Sequence, residues 1–183
     1  MAADRTKAES ELVAGARDLL AGKARAARVR LLNATKADPG WGLPHALQSR
    51  VYLDLGDGLI AETEARRAIE LGVPANRVNH LIAHALLLQG SPKLALAEAE
   101  EARVAPRFSG YASRIRATAL YRLNQFEPAA REFDRAIALA PNARGLWTDV
   151  GTFRFEVGNI AAATQAAQNA IRIDKRDVRA NIL

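Results

Sequence analysis

The chain has 183 residues, 49% of them hydrophobic but only 5% aromatic, so any core must be built from Ala and Leu, a composition that favours helix. It has no cysteine, which excludes a disulfide framework and a Cys-ligated metal, and no run of about eighteen apolar residues, which excludes a membrane-spanning helix. The net charge of +6 is mostly Arg, interspersed with acids such as Glu62, Glu64, Glu98, Glu100 and Glu101 and without a recognition-helix motif, so it reads as solvated helix faces and no nucleic-acid partner is expected.

Taken in order, residues 1–7 are polar and read as a flexible N-terminus, and the opening MAADRTKAESE lacks an apolar signal core. A first helix pair is expected over 8–41, with a basic second helix carrying Lys23, Arg25, Arg28 and Arg30 whose outer face acts as a polar end cap. Its first helix reads better with a turn one residue shorter, which places Leu12, Ala16 and Leu19 on the packing face instead of Glu11, Gly15 and Asp18. The stretch DPGWGLP at 38–44 predicts a turn, with Trp41 packing across the junction. A second pair spans 42–75, and its Gly56-Asp57-Gly58 predicts a loose turn between helices. The third, 76–109, is the most apolar, with Pro92 in the first turn of a helix, where a missing N–H costs little. The fourth, 110–143, carries Tyr111, Tyr121, Phe126 and Phe133. The fifth, 144–177, pairs a bulky Trp147 with a small Gly151 four residues later. Residues 178–183 match the start of a sixth first helix, which suggests a fragment of a longer array and an uncovered C-terminal flank through which a homodimer could form.

These segments are one frame repeated every 34 residues. The second helix of each pair carries Ala27, Ala61, Ala95, Ala129 and Ala163, and seven residues on, Ala34, Ala68, Ala102, Ala136 and Ala170. The turn within each pair carries Gly22, Gly56, Gly90, Asn124 and Gly158, the residue types that tolerate positive φ at a helix C-terminus. The first helix offers a packing hole at Gly15, Ser49, Ala83, Ala117 and Gly151, and Pro39, Pro74, Pro106 and Pro141 stop one unit before the next begins. Polar Gln48 and Arg116 stand where an apolar first-helix residue is usual. Self-similarity at a fixed period is the signature of a stacked repeat array.

The pattern resembles the tetratricopeptide repeat (TPR) family over residues 8–177. The resemblance implies an all-α fold, a right-handed α-α superhelix of five helix-turn-helix repeats plus a truncated sixth first helix, whose first helices line a concave surface. Carried over repeat by repeat, the family's groove positions place Arg50 in repeat two and Arg77, His80 and His84 in repeat three. They place Tyr111, Arg114, Thr118, Tyr121 and Arg122 in repeat four, and Thr152 and Phe155 in repeat five. A groove rich in Arg, His and Tyr suits carboxylates, so the expected partner is an acidic protein or peptide, with an anionic polysaccharide as the alternative. The Lys and Asn pattern that grips chaperone C-termini is absent: its positions hold Ala46, Arg50, Leu81, Tyr111 and Ile115.

His80 and His84 also form an i,i+4 pair, HLIAH, but Leu81 stands where a zinc hydrolase needs Glu and there is no evident third ligand, so no metal is expected. No nucleophile triad, phosphate-cradling loop or nucleotide fingerprint appears, so neither catalysis nor a cofactor is expected. Within the family, Leu32–Pro39, Leu55–Asp57, Ala61–Pro74 and Leu86–Gly90 resemble the TPR lipoproteins of bacterial PEP-CTERM/exosortase systems. That resemblance implies a periplasmic setting, lipid-anchored in the full-length protein, within exopolysaccharide or cell-surface export machinery. A cytoplasmic module regulating a larger enzyme is the other reading.

Overall fold

The computed structural model describes residues 3–175, and among these there are ten α-helices and no strand. The chain divides into two compact units, Met1–Ala105 and Pro106–Leu183. The first holds α1 (Arg5–Leu20), α2 (Ala24–Ala37), α3 (Gly42–Asp54), α4 (Gly58–Glu70), α5 (Asn79–Leu88) and α6 (Pro92–Glu98). The second holds α7 (Ser109–Arg122), α8 (Phe126–Leu139), α9 (Leu146–Glu156) and α10 (Ile160–Ile173). The sixth helix read from 178–183 lies outside the described residues. At the other end, Asp4 accepts the Lys7 N–H at 2.9 Å and α1 begins at Arg5, so the helix starts within the stretch that reads as a flexible N-terminus.

Each helix pair is closed by the same turn. Gly22, Gly56, Gly90, Asn124 and Gly158 all have φ between 59° and 80°. The N–H of each donates to a carbonyl three residues back, and the next N–H reaches five back, for example Gly158 to Phe155 at 2.9 Å and Asn159 to Arg154 at 2.8 Å. These two bonds satisfy carbonyls that the helix end leaves open, and they require the left-handed conformation that Gly and Asn adopt at least cost. The Gly56-Asp57-Gly58 turn is no looser than the others: Asp57 caps α4 by accepting the Ile60 N–H at 3.1 Å, and Gly58 is the buried first residue of that helix.

Small residues set the spacing between helices. Gly15, Ser49, Ala83, Ala117 and Gly151 are all buried. The turn after α1 is not a residue shorter, and Gly15 fills the hole, where a Cβ would lie 2.9 Å from Leu31 Cγ; of the residues expected on the packing face, Leu12 and Leu19 are there. Leu12 and Leu19 flank that contact, packed against Ala27, Leu31 and Val51. In the second unit Phe133, Leu146, Val150 and Phe153 form the core, with the Phe133 and Phe153 rings 5.2 Å apart. The two polar residues at apolar positions are paired: Gln48 donates to Thr35 Oγ1 at 3.3 Å, and Arg116 to Glu132 at 2.7 Å.

One repeat departs from the frame. Nine of the ten recurring Ala are buried, but Ala102 is exposed. Helix α6 stops at Glu98, and Ala102 falls in a 3-10 turn over Glu101–Arg103. The segment is held by α5 and the turn before it: Asn79 Nδ2 donates to the Arg103 carbonyl at 3.0 Å, and the Ala105 N–H donates to the Asn76 carbonyl at 2.8 Å. Pro106 disfavours a helical Ala105, and Val104 is buried in place of Ala102. The two units divide at this irregular segment.

Candidate functional site

The residues read as a binding surface are placed in two groups, one in each unit. In the first unit Arg50 lies on α3 and pairs with Asp54, one turn on, at 3.0 Å. Arg77 is exposed on the 3-10 turn before α5. His80 and His84 sit one turn apart on α5, the first buried and the second half-buried. Among the described residues no group of three His, Cys, Asp or Glu could hold a metal ion.

In the second unit Tyr111, Arg114, Thr118, Tyr121 and Arg122 all lie on α7, at the three- and four-residue intervals that line up on one helix face. Thr152 and Phe155 lie on α9. The two helices meet where Tyr121 stands edge-on to Phe153, with ring centres 5.8 Å apart.

Arg114 is different in kind from the others. It is only 7% exposed, its Nε donates to Asp149 at 2.7 Å, and its Nη1 donates to the Arg144 carbonyl at 3.0 Å. It ties the loop between α8 and α9 to α7, passing beside Gly145, whose φ is +77°. With Arg114 held by Asp149 and Arg50 by Asp54, the surface is less cationic than its composition implies. Thr118 and Thr152 each turn their hydroxyl to the carbonyl one turn back, at 3.1 and 3.0 Å.

What remains open is the C-terminal end of α7 and α9. Tyr121, Arg122, Asn124, Phe126 and Glu156 line a recess of about 340 Å³. Phe126 and Phe155, 45% and 49% exposed, are aromatics that the core does not cover. The Tyr121 and Phe126 rings lie 6.3 Å apart. Burial first, and the Glu156 carboxylate second, push the Tyr121 hydroxyl above its ordinary value against the pull of Arg122, so it stays protonated and able to donate at neutral pH. Glu156 occupies a groove position of repeat five that the family pattern also gives, whereas Phe126 was not among the binding residues read from the sequence; its signal was position, at the start of α8 just after the Asn124 turn. A second recess of about 320 Å³, between α8, α9 and α10, is lined by Trp147, Arg154 and Asn169 among others, and contains none of the residues read as a site.

No protein-family model matches the sequence, and no curated protein matches it. Solved structures do match. TTC0263, a thermophilic TPR protein of Thermus thermophilus, superposes with a TM-score of 0.77 at 17% identity over 96% of this chain and 95% of that one. PilW, a type IV pilus biogenesis factor, gives 0.69 at 16% identity over 92% and 78%. YrrB, a TPR protein with an unusual peptide-binding site, gives 0.54 at 16% identity over 94% and 89%. At these identities the likeness establishes architecture, and the fold of this chain is that of the tetratricopeptide-repeat proteins.

Proposed function

We propose that the chain is a non-catalytic interaction scaffold that binds a partner protein through the open end of α7 and α9. The observation that carries this reading is the exposed Phe126 ring in a recess it shares with Tyr121, Arg122 and Glu156, together with exposed Phe155, which precedes Glu156 on α9. Aromatic and Arg side chains are the types that dominate binding energy at interfaces. The proposed ligand is a protein segment that sets apolar side chains against Phe126 and Phe155 and an acidic group near Arg122. The setting we favour is the bacterial periplasm, in exopolysaccharide or cell-surface export machinery, on the sequence likeness of Leu32–Pro39, Leu55–Asp57, Ala61–Pro74 and Leu86–Gly90.

The test compares the parent, an Arg122→Glu/Phe155→Ala variant and an Arg131→Glu variant as baits in an envelope extract. Arg122, Phe155 and Arg131 are all exposed, so folding is not at stake. A protein retained by the parent and Arg131→Glu but lost with the double variant supports the reading. Equal recovery with all three removes the site from α7 and α9. Acidic glycan recovered without a protein band would replace the protein partner by a polysaccharide.

A further inference from the structure

Helix α2 carries Arg25, Arg28, Arg30 and Lys36 and no acid. Its buried residues are Ala27, Leu31 and Ala34. At about 100° per residue, Arg25, Val29, Leu32 and Lys36 fall within an arc of about 60° directly opposite those three, with Arg28 about 40° beyond it on the flank. Val29 is 54% exposed and Leu32 37%, and Leu20, at the end of α1 before the turn into α2, is 85% exposed. Arg30 points toward α1 and pairs with Glu11 at 3.3 Å, whereas Arg25, Arg28 and Lys36 make no ion pair among the described residues.

The repeat itself does not require cations there. One, two or three periods on, the same outward positions hold Glu62, Glu70, Glu100, Glu127 and Asp134, with one cation in each repeat, Arg66, Lys93 and Arg131. On α4 the acids pair along the helix, Glu62 with Arg66 and Glu70 with Arg67. Four periods on they hold Gln165, Gln168 and a single cation, Arg172. The first repeat alone combines several cations with aliphatic side chains and no acid at these positions.

We infer that the outer face of α2 is a contact surface for an anionic phospholipid bilayer. Alternating guanidinium and aliphatic groups on a convex ridge suit a headgroup layer, which offers phosphate to the cations and an acyl boundary to Val29, Leu32 and Leu20. A folded acidic protein would have to bring a groove of its own to such a ridge, whereas a bilayer conforms to it. No helix among the described residues is long and apolar enough to cross a membrane, so the contact is peripheral.

Sedimentation of the whole chain with phosphatidylcholine vesicles, with and without phosphatidylglycerol, tests this. Binding is expected only with phosphatidylglycerol and should weaken sharply as salt is raised to about 0.5 M. Each cation removed should lower partitioning roughly fivefold, so Arg25→Glu/Arg28→Glu should lose on the order of a hundredfold or more. Arg131→Glu/Arg172→Glu, exposed residues with the same charge change, should bind as the parent does. Circular dichroism of both variants should match the parent. Equal loss in both would show that net charge alone attracts the chain and would overturn the inference, as would failure of the parent to bind. Retention on poly-glutamate without vesicle binding would also overturn it, in favour of an acidic protein.

Discussion

Replacing Gly58 with Ala sets two effects of opposite sign against each other. Within a helix, Gly→Ala ordinarily stabilises by about 0.5–1 kcal/mol, because Gly gives up more backbone freedom on folding. At Gly58 the added Cβ would meet the Ala85 carbonyl oxygen at 2.7 Å and Leu88 Cβ at 2.8 Å. The first obstacle is backbone, so it cannot swing aside, and a normal contact needs α4 and α5 to part by about half an ångström. That movement also strains the Gln89 side chain, which donates to the Gly58 carbonyl at 3.2 Å and to Glu62 at 2.7 Å. Overpacking of this kind costs about 1–3 kcal/mol, so the net expectation is a loss of about 1–2 kcal/mol. For a chain of this size that is a fall in Tm of about 2–8 °C. Gly40→Ala is the matched control: its Cβ would have only Asp38 Oδ1, at 3.7 Å, nearby, so the variant should be neutral or gain up to about 1 kcal/mol. Urea titration of both variants beside the parent decides the matter. Gly58→Ala as stable as Gly40→Ala would refute the close α4–α5 approach.

Three further outcomes follow from the same structure. Arg114→Leu should cost about 3 kcal/mol by denaturant titration, because it removes the partly buried ion pair with Asp149 and the bond to the Arg144 carbonyl; a loss under about 1 kcal/mol would mean Arg114 does not fasten the loop to α7. Ser49→Ala should be neutral or stabilising by up to about 1 kcal/mol, since the buried Ser49 hydroxyl has no hydrogen-bond partner and the equivalent Ala83 and Ala117 fill the same hole without one; a clear loss would point to a buried water. Glu62 is raised by burial but lowered more by its bonds to Gln89 and Arg66, leaving it net below its ordinary value. A depressed carboxylate adds stability above the unfolded value and loses it as pH falls through the folded one. Glu62→Gln should therefore flatten the acid limb of the stability curve below about pH 4.5, and an unchanged limb would rule out the contribution.

Much of the fold was legible because the repeat uses residues with few substitutes. A left-handed turn closed by two backbone bonds admits Gly or Asn, and close helix contact admits Gly, Ala or Ser, so both recur every 34 residues in plain view. The third repeat misleads because Glu98–Arg103 has strong helix formers; the bonds that override them come from Asn76 and Asn79, more than twenty residues away. Arg114 misleads for a related reason. Its place on the α7 face is as expected, but a face does not specify exposure, and Asp149 lies 35 residues on. Arg5 and Asp38, 33 residues apart, are joined in the same way at 2.6 Å. Opposite charges about one period apart are therefore a readable signal that an apparent groove Arg is structural. The His45–Glu64 contact at 2.6 Å within the second repeat has no such signal, because neither residue belongs to the repeating frame.

The most direct test of the scaffold reading places a photocrosslinking amino acid at position 155 on α9 and, separately, at position 165 on α10, both exposed in the folded chain. Irradiation in cells should give a discrete protein adduct from 155, abolished by Arg122→Glu, and none from 165. Matching adducts from the two positions, or an adduct at 155 indifferent to Arg122→Glu, would contradict the account.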